Sequence, residues 1–152
     1  MNSVFDEMIQ EALQMIADAK AEIYTLAFYH DHESSEISVC IDTEEQSSRT
    51  ILESNKFTRK YFQKTLAEGD AEGLKLWNFQ AGRSFSLGNF EYVSVSARPV
   101  PSEYEDGSSN LYLEMIRAIE RNKSSILQHT HAPEQVMFCC SSADAEVQYI
   151  WQ

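Results

Sequence analysis

The chain is organised around the stretch Glu22–Asp42, whose sequence is EIYTLAFYHDHESSEISVCID. Both alternating faces of Ile23–His30 are largely apolar or aromatic, which is typical of a central strand covered on two sides. In Ile37–Asp42 the apolar residues occupy every second position, as in a half-buried strand nearer an edge. The polar residues between them, Asp31–Glu36, predict a hairpin loop of more than two residues. The stretch therefore predicts the middle of a sheet.

The segments on either side of this hairpin predict helices. The first begins at a capping box on Ser3, carries one apolar stripe and ends near Lys20. After the hairpin, one helix is predicted over Glu44–Glu53 and another from Asn55 to a stop at Gly69. In the latter, aromatic and leucine side chains are expected to face the core and basic ones the solvent; the first set is Phe57, Tyr61, Phe62 and Leu66, and the second is Arg59, Lys60 and Lys64.

The second half of the chain predicts two more strands, Phe90–Ala97 and Gln135–Ser141. Between them, a last long helix should begin near Ser108 or Ser109 and reach Asn122. The apolar terminus Val147–Trp151 should dock on the core. This order of elements is too irregular for repeated βαβ units. It predicts an α+β fold: a single domain over residues 1–152 with a mostly antiparallel sheet of about four or five strands and helices packed on it.

Charge is the most distinctive property of the composition. Of 152 residues, 24 are acidic and 12 basic, which gives a formal net charge of −12. A field of this sign repels the phosphates of nucleic acids and anionic membrane surfaces, so neither is expected as a partner. A basic protein would be attracted, although acidity also serves simple solubility. The composition alone leaves the oligomeric state open.

Compartment is predicted from what the sequence lacks and from its cysteines. No segment approaches the roughly 20 apolar residues of a membrane span, and the N-terminus does not resemble a secretory signal. The three cysteines, Cys40, Cys139 and Cys140, are an odd number with two adjacent, which suits buried thiols in a reducing compartment. A cytoplasmic protein is expected.

None of the chemically reactive residues forms a catalytic constellation. Adjacent cysteines in a strand point to opposite faces, so Cys139 and Cys140 do not share a metal ion easily. The pairs His30-x-His32 and His129-x-His131 each place two imidazoles on one side of an extended segment, but zinc needs further ligands that no CxxC or HExxH spacing supplies. No nucleophile elbow or phosphate-binding loop is present. We predict no catalytic residue, metal site or cofactor.

Two acidic loops are the candidate functional surface. Clusters of carboxylates are usually only solvated, but these could present a negative patch that speeds association with a basic partner. Their residues, which we predict to bind such a partner, are Asp31, Glu33, Glu36, Glu103, Glu105 and Asp106.

The order of elements resembles a bacterial family described as domain of unknown function 4303. The similar features are the strand at Ile23–Tyr29, the helix start at Asp42–Glu45, the aromatic segment Trp77–Phe79 and the strand end at Phe138–Asp144. The middle third departs from the pattern, with Phe90–Tyr92 where another tryptophan is expected. That family has no established catalytic residues, and its members are similar in size and style to acidic immunity proteins found beside polymorphic toxins. The resemblance therefore implies protein binding, at the level of analogy.

Two classes of function remain open from the sequence. The favoured one is a non-enzymatic, acidic, immunity-like protein that binds a basic partner. The other is a small enzyme or small-molecule-binding domain, with a pocket assembled from the aromatic residues Tyr24, Tyr29, Trp77 and Tyr92 and a histidine or carboxylate from a loop. A deep pocket that holds a histidine beside a perturbed carboxylate would favour the second class.

Overall fold

A computed structural model of the chain describes residues 3–105 and 110–152. These residues form an α+β fold with a five-stranded mixed sheet, which confirms the predicted fold class. They group into two compact units, a sheet unit (residues up to Thr43 together with Ser86–Gln152) and a helical unit (Glu44–Phe85). The single domain over residues 1–152 stays a prediction. None of the helices within the described residues combines the length and apolar composition that a bilayer crossing requires.

The hairpin predicted from the sequence forms the middle of the sheet. β1 (Thr25–Asp31) pairs with β2 (Glu36–Asp42) in antiparallel register, with Phe28 opposite Val39. The strand order β3-β2-β1-β4-β5 places β1 at the centre, as expected. The remaining strands are β3 (Tyr92–Pro99), β4 (Met137–Cys140) and β5 (Tyr149–Trp151).

The half-buried character expected for β2 is wrong. Every residue of β2 after Glu36 is buried, although β2 does lie nearer an edge than β1, with β3 paired along its outer side. The alternation misled because Ser38, Cys40 and Asp42 are small or polar, yet all three lie in the interior. Polar residues in a strand indicate solvent only when the second face is open.

The outer pairs of the sheet join segments that are distant in the sequence. β4 lies parallel to β1, with Phe138 beside Leu26, and this is the one parallel pair of the sheet in the described residues. β5 then pairs antiparallel with β4, with Trp151 beside Phe138. The predicted docking of the apolar terminus therefore takes the form of an added strand.

Two helices cover one face of the sheet. α1 (Val4–Ala19) and α4 (Asn110–Leu127) pack on the face that carries Leu26, Phe28 and Val39. The capping box at Ser3 is confirmed, and α1 ends at Lys20 in the left-handed conformation with φ of 54°. α4 runs five residues beyond the expected end at Asn122, while its predicted start at Ser108 or Ser109 falls outside the described residues.

The three cysteines are buried, as predicted. Cys40 and Cys139 lie on either side of Ala27 on the second face of the sheet, whereas Cys140 belongs to the core under α1 and α4. All three are free thiols. Burial raises the pKa of the Cys140 thiol to about 12.

The helical unit contains one long helix where the sequence predicted two. α2 (Glu44–Ala67) runs continuously through Asn55, whose side chain bonds the backbone of Gln80 at 2.9 Å and 2.8 Å instead of capping a new helix. A tertiary partner thus replaces the local one that the sequence suggested. Gly69, with φ of 72°, follows the helix end as expected. The short α3 (Ala71–Leu74) comes next.

The described part of the sheet unit also contains three 3₁₀ turns, at Leu87–Asn89, Ser102–Tyr104 and Pro133–Gln135.

Candidate partner-binding site

The loop between β1 and β2 is shaped by the side chain of Asp31. Its Oδ1 accepts hydrogen bonds from the backbone amides of Glu33 at 3.0 Å and Ser34 at 3.4 Å. Hydrogen bonds from the Ser34 side chain and the Glu33 amide hold the pKa of Asp31 below its ordinary value. The turn therefore keeps this carboxylate ionised while Glu33 and Glu36 stand exposed beside it.

The second acidic loop is anchored next to the first by a backbone hydrogen bond. The amide of Val100 donates to the carbonyl of Ser35, at 2.9 Å. Glu103 and Glu105 follow shortly afterwards and both are exposed. The sequence predicted two separate acidic loops. Their proximity depends on the pairing of β2 with β3, which joins residues about 60 positions apart and has no local signal in the sequence.

We call the resulting surface the acidic end of the sheet. Its described residues are Asp31, Glu33, Glu36, Glu103 and Glu105. Asp106, the sixth residue predicted for this surface, lies outside the described residues.

The basic residues of the sheet unit do not neutralise the acidic end. The unit has five basic residues against eighteen acidic ones. Four of the five pair with carboxylates elsewhere: Arg98 with Glu11, Arg117 with Glu114, Arg121 with Asp6 and Lys123 with Glu120. Among the described residues, no carboxylate of the acidic end makes an ion pair. The negative charge there is available to a partner.

Two tyrosines lie close enough to these carboxylates for the negative charge to affect their pKa. Burial raises the pKa of Tyr29, and the charges of Asp31, Glu146 and Glu33 raise it further. Burial also raises the pKa of Tyr104, with additional contributions from Glu114 and Glu103. Glu146 therefore extends the negative region beyond the residues that the sequence predicted, whereas Arg117 offsets the charge of Glu114.

A cavity of about 500 Å³ adjoins the acidic end and shares Glu103 with it. Its floor is apolar, and Phe5 and Tyr104 meet there with their ring centroids 5.7 Å apart. Charged groups of both signs reach it, since Arg98 and Glu114 also line it. The complete lining is Ser3, Val4, Phe5, Arg98, Pro99, Val100, Pro101, Glu103, Tyr104 and Glu114.

The aromatic pocket that the sequence suggested does not correspond to this cavity. None of Tyr24, Tyr29, Trp77 and Tyr92 lines it. The three tyrosines are half-buried residues of the sheet unit, whereas Trp77 belongs to the helical unit and stacks on Tyr61. The cavity also lacks a histidine, so it does not combine a histidine with a perturbed carboxylate.

His30 lies at the carboxyl ends of the parallel strands β1 and β4, where its contacts are structural. Its Nδ1 is 2.9 Å from the hydroxyl of Tyr112, and its backbone amide donates to Ser141 Oγ at 2.8 Å. The ring of His32 lies beside it, with centroids 4.0 Å apart. Burial, followed by the neighbouring His32, lowers the pKa of His30. Since Ser141 bonds the backbone and the ring bonds Tyr112, the two do not form a nucleophile and base pair.

The two residues of the second histidine pair, His129 and His131, make different contacts. The ring and the amide of His131 both bond Glu22, and this holds the pKa of Glu22 below its ordinary value. His129 offers its backbone carbonyl to the amide of Ile23 at 2.9 Å. In the part of the chain that the structure describes, no group of three or more potential ligands could hold a metal ion.

Comparison of the chain with protein families, with curated proteins and with solved structures finds no match in any of the three.

Proposed function

We propose that the chain is a non-enzymatic binding protein whose acidic end captures a basic protein partner. The observation that carries this proposal is the meeting of two acidic loops at one end of the sheet, joined through Val100 and Ser35. Exposed carboxylates without counter-charges attract a cationic surface, and their main effect is on the association rate and on specificity.

The partner class that we favour is a basic toxin. This finer proposal rests on the resemblance to domain of unknown function 4303 and on the analogy of that family with immunity proteins. A toxin that acts on nucleic acid needs a cationic surface, and an acidic protein can cover such a surface. Inhibition by this route requires no catalytic residue.

The test is a capture experiment with the purified protein as bait in lysate of the source cell. The expected partner is a basic protein that is retained at about 50 mM salt and released at about 300 mM, because screening weakens exposed charge pairs. Four substitutions to lysine at Glu33, Glu36, Glu103 and Glu105 should abolish capture. A matched variant with lysine at the exposed residues Glu53, Glu68, Glu91 and Glu134 changes the net charge equally and should retain capture.

Two results would contradict the proposal. If both quadruple variants lose the partner to the same extent, the net charge acts and the acidic end does not. If neither salt concentration yields a stoichiometric partner, partner binding loses its support.

The cavity supports small-molecule binding as a second candidate. A volume of about 500 Å³ lies within the range of ligand pockets, which are mostly apolar with a few charged groups that orient the ligand. In a thermal-shift screen, some small zwitterions or aromatic acids should then raise the melting temperature of the protein. The increase should disappear in Tyr104→Ala, while Tyr149→Ala, which changes an exposed tyrosine outside the cavity, serves as the control.

A further inference from the structure

The helical unit differs in charge from the rest of the chain. Residues 44–85 hold seven of the twelve basic residues and six of the twenty-four acidic ones, a formal net charge of +1. The remainder of the chain therefore carries −13. The basic residues are also concentrated, since the positions between Glu53 and Glu68 contain four of them and no acidic residue. The overall charge of −12 conceals this positive segment.

Four residues of α2 place aromatic and basic groups on one helical face. Phe57, Lys60, Tyr61 and Lys64 follow the spacing i, i+3, i+4 and i+7, which aligns side chains along one side of a helix. Phe57 and Tyr61 have ring centroids 4.6 Å apart, and the ammonium of Lys60 lies 5.9 Å from the Tyr61 ring. Neither lysine makes an ion pair with another described residue.

Trp77 extends this face and fixes its aromatic rings. It stacks on Tyr61, with centroids 5.2 Å apart and planes 24° from parallel. Its Nε1 donates a hydrogen bond to Thr65 Oγ1 at 2.9 Å. We call the surface formed by Phe57, Lys60, Tyr61, Lys64 and Trp77 the basic aromatic face.

Phe57 in this face is exposed, contrary to the sequence prediction, while Tyr61 and Trp77 are half-buried. Phe57, which the sequence assigned to the core, is 59% exposed, and Leu76 next to Trp77 is 75% exposed. Buried residues of α2 are instead small or polar, apart from Ile51: they are Ser47, Ile51, Thr58 and Thr65. Exposed aromatic groups bordered by charged residues are the composition of a protein-binding surface.

We propose that the basic aromatic face binds an acidic polypeptide segment that also carries large apolar side chains, supplied by a partner protein. The carboxylates of such a segment pair with Lys60 and Lys64, and its apolar side chains pack against Phe57 and the edge of Trp77. Charge complementarity selects this occupant, because the surface is the positive part of an otherwise negative chain. The face belongs to the helical unit and shares no residue with the acidic end, so the inference does not depend on the function proposed above.

A single-stranded nucleic acid fits the face less well. Base stacking needs free ring faces, but Tyr61 and Trp77 cover one another and Lys60 lies over Tyr61. The exposed aliphatic group of Leu76 suits a protein side chain better than a base. The dense phosphate charge would also be repelled by the −13 of the remaining chain.

The test is fluorescence anisotropy on the full chain with three labelled probes. The first is a peptide of about 15 residues that alternates glutamate with leucine and phenylalanine, a length that spans one helical face. The second replaces the apolar residues with serine, and the third is single-stranded oligothymidylate of equal charge. We expect the first probe to bind most tightly and to be weakened by salt.

The variants separate the face from the net charge. Lys60→Glu with Lys64→Glu should weaken the first probe about tenfold or more, since two attractive contacts become repulsive. Lys20→Glu with Arg117→Glu changes the net charge equally in the sheet unit and should leave binding within about twofold. Phe57→Ser should reduce the preference for the first probe over the second. If circular dichroism shows that the glutamate variant is misfolded, Lys60→Gln with Lys64→Gln replaces it.

Four results would overturn the inference: no binding of the first probe to the wild-type chain, equal losses in both charge variants, tighter binding of oligothymidylate, or salt-sensitive self-association in sedimentation that the Lys60 and Lys64 variant abolishes. The last result would identify a second copy of this chain as the occupant.

Discussion

The guanidinium of Arg121 on α4 bridges to the carboxylate of Asp6 on α1, 115 residues earlier in the chain, with an Nη2 to Oδ2 distance of 3.1 Å. Asn122 adds a bond of 2.7 Å to the other carboxylate oxygen. The same carboxylate completes the capping box with Ser3. One side chain thus caps a helix and joins it to the second helix of the layer.

This bridge predicts a loss of stability in acid. Burial opposes ionisation of Asp6, but the hydrogen bonds from Arg121, Ser3 and Asn122 outweigh it and lower the pKa from 3.8 to about 2. Because the folded-state pKa is the lower one, the stabilisation is complete above pH 4 and is lost as the pH falls through 2. In urea unfolding, the free energy of unfolding of the wild type should fall by about 2 kcal/mol as Asp6 is protonated, and this decrease should be absent in Asp6→Asn. Asp18→Asn, an exposed change on the same helix, should retain the stability measured at pH 7.

A glycine at the end of α1 should stabilise the fold. Lys20 adopts φ of 54°, a left-handed conformation that strains a side-chain-bearing residue and suits glycine at a helix end. We expect Lys20→Gly to raise the free energy of unfolding by about 1 kcal/mol. Ala19→Gly, one position earlier and within the helix, should lower it by up to about 1 kcal/mol. Thermal melts measure both variants. Shifts of the melting temperature in the same direction for Lys20→Gly and Ala19→Gly would contradict this prediction.

Protonation of His30 should weaken the fold at mildly acidic pH. Burial is the main cause that lowers its pKa, so the folded state favours the neutral ring. Stability is therefore complete above the ordinary histidine pKa of about 6.5 and falls as the pH decreases from there through the lowered value. Urea midpoints between pH 7.5 and 5.5 should decrease by less in His30→Asn than in the wild type. A His30 ring that titrates above its ordinary value in an NMR experiment would contradict this expectation.

The thiols should be inert in the native protein. All three cysteines are buried, and the high pKa of Cys140 keeps its reactive thiolate scarce. Ellman's reagent at pH 8 should therefore react slowly with the folded chain and titrate three thiols in guanidinium chloride. Rapid reaction of any native thiol would show that a sheet face opens readily.

Local patterns in the sequence predicted the local parts of the fold. The capping box at Ser3 and the hairpin from Thr25 to Asp42 depend on residues close in the chain, and both are present. The parallel pairing of β4 with β1 was not predicted, because no local signal joins residues more than 100 positions apart. The continuity of α2 through Asn55 was missed for the same reason, since its partner Gln80 lies 25 residues away.

For the candidate surfaces, too, the sequence identified residues but not their three-dimensional arrangement. The residues of the acidic end were identified from the sequence, but their meeting through Ser35 and Val100 depends on the β2–β3 pairing. Two aromatic residues of the basic aromatic face, Phe57 and Tyr61, were assigned to the core, because periodicity identifies an apolar stripe without showing what covers it. Exposure of Phe57 is visible only in three dimensions.

The position of β1 also affects how the chain emerges from the ribosome. One edge of β1 is paired as soon as β2 is complete, since the hairpin closes within 18 residues from Thr25 to Asp42. The other edge waits for Met137–Cys140, which are synthesised more than 100 residues later. Until then the nascent chain presents unpaired amides and carbonyls from its central strand, a template for pairing with other chains. Translation that stalls before residue 137 should therefore leave fragments that aggregate.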